Sequence, residues 1–153
     1  LIGWLRSMRL DDAVCFWARF RDFVRYVEDH FRYLSRTTAE TVAEYDRTQP
    51  YFAPAAECAA QCRAGAEFPS AWQQAVQTAA RRGDVPPQGI RLLTEFGAGL
   101  GATDLSGQLA HCALYRQLCE EQRAASLEEK QKKSRMYVLL GAAAGLGLNL
   151  LLL

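Results

Sequence analysis

The chain has 153 residues, half of them hydrophobic, and a net charge of +1. That length suits one domain and leaves room for a real core even after an apolar tail is set aside. The charge balance gives no support for a nucleic-acid partner, so basic residues have to be read by position. Ala, Leu, Arg, Glu and Gln dominate while β-branched residues are few, and no Asn-Gly or Asp-Gly hairpin signal occurs. Composition therefore predicts an all-α protein.

Residues 1–10 are short and mixed, with Ile2, Trp4 and Leu5 followed at once by Arg6 and Arg9. They supply neither a spanning helix nor the apolar region of a signal peptide. Residues 11–34 read as an amphipathic helix. Phe16, Phe20, Phe23, Val27, Phe31 and Leu34 recur at spacings of three and four, which draws one apolar stripe. Asp11 and Asp12 are expected at its start, where negative charge suits the helix dipole. Arg21, Asp22, Arg25, Glu28, Asp29 and Arg32 are expected on a solvated back. A core helix is the plain reading. The sharper one, with Trp17 and Arg19 flanking the stripe, is a surface that meets a membrane or a partner.

Thr37-Thr38-Ala39-Glu40 fits a capping box and predicts a short helix to about Arg47. Pro50 ends that helix by pushing Gln49 out of the helical region. A helix over 54–63 follows and stops at Gly65. Phe68-Pro69-Ser70 opens the next, with Trp72, Val76 and Ala79 inward and an end near Gly83. Asp84-Val85-Pro86-Pro87 is a turn. A short helix carrying Ile90, Leu92, Leu93 and Phe96 then leads to Gly97-Ala98-Gly99-Leu100-Gly101, where a sharp turn is expected. Thr103 or Asp104 caps the last helix. Its apolar stripe is Leu105, Leu109, Cys112, Tyr115 and Cys119, and beyond it a charged stalk carries the favourable pairs Glu128–Lys132 and Glu129–Lys133.

The stalk runs without a break into residues 136–153, which hold no charge. As a helix they are about 27 Å long, enough to cross a hydrocarbon core. Lys130, Lys132, Lys133 and Arg135 precede the span, so the positive-inside rule predicts a cytoplasmic domain over 11–135. Asn149 is the polar residue within the span and Tyr137 stands where an interfacial aromatic belongs. Gly141 and Gly145 form a small-xxx-small pattern that suits helix packing in a membrane. Two readings stay open: self-association into a homo-oligomer, or glycines that fill an apolar segment. A buried hairpin of a soluble fold is a third.

The five cysteines at 15, 58, 62, 112 and 119 do not space like a disulfide framework and read as small buried hydrophobes in a reducing compartment. His30 and His111 do not complete a zinc pattern. The glycine run lacks the Lys-Ser/Thr of a phosphate loop. His111 and Cys112, as neighbours on a helix, point in different directions and make no dyad. Asp104 and Gln108 share a face, as a cap plus a polar contact across the turn or as a contact with a partner. No catalytic residue, cofactor or metal is expected.

The run Leu93-x-x-Phe96-Gly97-x-x-Leu100-Gly101-x-x-Asp104-Leu105-x-x-Gln108 resembles the signature region of the stage III sporulation protein AB family. The charged helix, basic residues and glycine-rich membrane helix after it are similar too, as are Tyr33 and the Ala71-Trp72 pair upstream. Two departures stand beside the likeness. Residues 1–10 do not supply the membrane helix with which the family starts, and Arg36-Thr37-Thr38 stands where it carries Thr-Pro-Leu. The resemblance implies a membrane platform subunit of a secretion-like channel complex, in the mother-cell membrane around the forespore. It implies a helical bundle similar to the cytoplasmic domain of the type II secretion platform protein. The implied partners are a secretion-type cytoplasmic ATPase and the other membrane subunits of the channel. Phe96, Gly97, Leu100, Gly101, Asp104 and Gln108 are the matching positions. A tail-anchored adaptor unrelated to secretion is the alternative.

Overall fold

A computed structural model describes residues 2–34 and 36–153; of residues 2–10 it describes the backbone alone. The expectation for the N-terminal side chains therefore lies outside the described residues. Six helices follow one another: α1 (Ile2–Tyr33), α2 (Thr38–Thr48), α3 (Ala53–Arg63), α4 (Phe68–Arg81), α5 (Pro87–Gly99) and α6 (Leu105–Leu152). The described residues contain no strand, as composition predicted.

α1 begins at Ile2 and not at Asp11. No proline interrupts residues 2–33, so nothing ends the helix at Asp11. Asp11 is an interior residue that pairs with Lys130 of α6. The helix also has two buried stripes where one was expected. Phe16, Phe20, Phe23 and Val27 form the first. Trp17, Val24 and Glu28 are buried on the second, and Arg21 shares their spacing. Arg21 Nη1 donates to Glu120 at 2.5 Å and Arg116 Nη1 donates to Glu28 at 2.8 Å, so this second stripe faces α6. Glu28 is thus no part of a solvated back, and buried Trp17 offers no surface to a membrane or partner. Those pairs also fix α1 and α6 as antiparallel.

The first stripe fills the bundle centre. Phe23 stands 5.0 Å from Tyr45, 5.2 Å from Phe52 and 5.5 Å from Trp72, ring centre to ring centre. Phe20 meets Phe96 edge to face at 5.7 Å. Each such ring, fully buried, stabilises the fold by roughly 1.5–3 kcal/mol before the entropy of ordering is counted. Local chemistry sets the helix ends as predicted: Thr37 and Glu40 complete a reciprocal capping box, and Gly65 and Gly83 follow α3 and α4 with positive φ.

α6 is one continuous helix of 48 residues, about 72 Å long. Its first half packs on α1 and α5. Cys112, Tyr115 and Cys119 are buried there, while Leu105 is 52% exposed. The pairs Lys132–Glu128 and Lys133–Glu129 form at 3.5 and 3.1 Å. Its last 18 residues form an apolar window with none of it buried in the protein, a candidate membrane span.

Candidate functional site

The signature run occupies the end of α5, the turn to α6 and the first turns of α6. The sharp turn does not start at Gly97. α5 continues through Gly97 to Gly99, and the chain turns over residues 100–104, with Gly101 at φ +81°. A glycine inside a helix costs about 1 kcal/mol relative to alanine. The close approach of aromatic groups from α4 and α6 leaves no room for a side chain at either position.

Trp72 of α4 lies where a β-carbon on Gly97 would have to be. Its Nε1 donates to the Leu93 carbonyl at 2.7 Å, and both ends of the bond are buried. His111 of α6 takes the same place over Gly99. Its ring stacks on Phe96 at 5.4 Å, with 3° between the planes. His111 Nε2 lies 2.9 Å from the Phe96 carbonyl. A carbonyl can only accept, so that nitrogen carries the proton. The Phe96 carbonyl is one of the last four of α5, so the His111 ring adds a side-chain cap to the end of that helix. A Gly-x-Gly pair within a helix is the signal for these two contacts, and the sequence alone does not tell it from a turn.

Past the turn, Asp104 is the N-cap of α6 and its Oδ1 accepts from the Gly107 amide at 3.0 Å. Gln108 Nε2 donates to the Thr103 carbonyl at 3.0 Å. The expected cap and cross-turn contact are both present. Beside them, Tyr115 OH donates to Glu95 at 3.4 Å, and the Arg91 guanidinium holds the Glu95 carboxyl below its usual range.

The six motif residues therefore divide. Phe96, Gly97 and Leu100 are buried and serve packing. Gly101 and Asp104 are exposed and Gln108 is half-buried, so these three border solvent. Tyr33, at the end of α1, is 75% exposed, and the antiparallel register puts it at this same end of the bundle. Leu105 stands about 47 Å along α6 from Met136, so the turn lies at the end remote from the apolar segment. A cleft of about 600 Å³ opens elsewhere, among Trp17, Val85 and Ser126, and no motif residue lines it.

Cys58, Cys112 and Cys119 are buried as expected, but Cys62 is only half-buried and Cys15 is exposed. Burial pushes the Cys112 and Cys119 thiols up to about 12. The Cys58 thiol is raised as well, by burial first and by neighbouring Cys62 second.

The family model described as Stage III sporulation protein AB matches residues 1–153, the whole chain. No curated protein and no solved structure matches it.

Proposed function

We infer from its family, stage III sporulation protein AB, to which this chain belongs over residues 1–153, that it is a membrane platform subunit without enzymatic activity. It serves a secretion-like channel complex between mother cell and forespore. Its bundle stands on the cytoplasmic side of the mother-cell membrane, in keeping with the basic residues before the span. There it docks a secretion-type ATPase and sits among the other membrane subunits of the channel.

One observation carries this reading. The first turns of α6 hold Asp104 and Gln108, and the same unbroken helix ends in the apolar segment. A force or a docking event at the turn would reach the membrane along one rigid rod. The solvent-bordering half of the motif, Gly101, Asp104 and Gln108, is the surface offered to the ATPase.

The test is capture of the secretion-type ATPase from the same genome by the full chain in detergent. Binding is expected, and Asp104→Asn together with Gln108→Ala should weaken it by roughly tenfold, about 1.4 kcal/mol. A well-folded chain that captures no ATPase would instead favour a tail-anchored adaptor unrelated to secretion.

A further inference from the structure

Among the described residues, a β-carbon placed on Gly141 or Gly145 of α6 would meet no atom within 4 Å, and Val138 is 69% exposed. At 100° per residue, Gln131, Ser134, Val138, Gly141, Gly145 and Asn149 fall within about 80° of arc on one face. All six are exposed. We propose that this stripe pairs two copies of the chain, parallel to one another, within the membrane.

Two observations beyond the glycines choose that occupant. The first is Asn149. It lies about 20 Å along the helix from Met136, well inside a hydrocarbon core about 30 Å thick. Lipid cannot satisfy its amide, which carries two donor hydrogens and an acceptor oxygen. A second Asn149 at the same depth can, because an amide pair related by a two-fold axis donates and accepts reciprocally. Two copies of one chain share a topology, so parallel packing sets the depths equal with no further requirement. A different subunit would have to supply a matching polar group at that level.

The second observation lies just outside the span. The stripe leaves the basic collar through Gln131 and Ser134, both uncharged. Lys132 and Lys133 sit more than about 120° from its centre, and Lys130 and Arg135 stand on its flanks. Lys130 is held by Asp11, Lys132 by Glu128 and Lys133 by Glu129. Two collars can therefore meet along this line without placing cations face to face. Gly141 and Gly145 then let the backbones close up, and Asn149 is brought within reach of its counterpart.

The inference rests on α6 crossing the membrane, so the experiment reads that first. Full-length chains labelled at the exposed Cys15 with donor or acceptor dye are reconstituted in phosphatidylethanolamine–phosphatidylglycerol vesicles and floated on a density gradient. Floating protein should show energy transfer that follows protein density in the bilayer. Asn149→Leu and Gly145→Leu, which keep the span apolar, should each weaken self-association roughly 3- to 30-fold. Leu140→Ala, on the opposite face, should leave it unchanged. Protein that floats without energy transfer overturns the proposal, as does transfer that both stripe variants leave intact or that Leu140→Ala reduces equally. Protein that fails to float removes the membrane premise and the proposal with it.

Discussion

The indole of Trp72 fills the place of the side chain that Gly97 lacks. The bond from Trp72 Nε1 to the Leu93 carbonyl holds it there at 2.7 Å. Gly97→Ala must then move a buried indole or shift α5 away from α4. Overpacking of this kind costs about 1–3 kcal/mol. The better helix propensity of alanine returns about 1 kcal/mol at most. Gly97→Ala should therefore lower the thermal midpoint of the full chain in detergent. Gly99→Ala, which meets His111, should do likewise. An unchanged midpoint for both would show that Trp72 and His111 do not close these positions to a side chain.

Asp104 has two separable properties, a negative charge and a cap. Reversal of its charge would remove both at once and confuse docking with folding. Asparagine keeps the capping oxygen, whereas alanine loses it at about 1 kcal/mol. Asp104→Asn should leave the unfolding midpoint in place, and Asp104→Ala should lower it. ATPase capture that falls for both variants assigns the effect to the charge. Capture that falls for alanine alone assigns it to the turn's geometry.

Glu28 is buried between two arginines of unequal standing. Arg116 reaches it from α6 at 2.8 Å, and Arg32 from its own helix at 3.2 Å. Removing Arg116 leaves a carboxylate inside the α1–α6 contact with one weak partner. Loss of a hydrogen bond to a buried charge costs about 1.5–3 kcal/mol. Arg32 is 45% exposed, and such a pair is worth under about 1 kcal/mol. Chemical denaturation should thus rank Arg116→Ala well below Arg32→Ala in stability. Equal losses would mean that α6 does not depend on this bond.

Much of this fold was legible because local chemistry decides it. The Thr37–Glu40 box, the Pro50 stop, the Asp104 cap and the apolar tail each depend on residues adjacent in sequence. What escaped depends on a second element. Glu28 is polar by type, and only the arrival of Arg116 from α6 makes its burial tolerable. Gly97 and Gly99 look like a turn until Trp72 and His111 occupy the space beside them. Cys15 looked like a core residue by analogy with the other four, yet it lies off both buried stripes of α1. In the candidate site, Asp104 and Gln108 could be read from their spacing. The capping role of His111 could not, since it spans fifteen residues and a change of helix.

The buried thiols make an alkaline limit to stability that can be worked out in sign. Burial raises Cys112 and Cys119 to about 12, and raises Tyr45 to about 12 as well. In the unfolded chain a thiol titrates near ~8.5 and a tyrosine near ~10. Below about pH 8.5 both states hold these protons and the stability is complete. Above it the unfolded state releases protons that the folded state keeps, so stability falls as pH rises toward 12. Guanidinium midpoints should therefore decline from about pH 8.5 to 11, by up to about 1.4 kcal/mol per pH unit for each thiol. Cys119→Ala should make the decline shallower, and a flat profile would deny that these thiols are buried protonated. The same burial predicts thiol labelling: Cys15 should react fast and Cys58, Cys112 and Cys119 slowly. Fast labelling of Cys15 is thus expected from exposure alone and is no sign of a catalytic thiol. A fast reaction at Cys112 or Cys119 would instead show that α6 leaves the bundle readily.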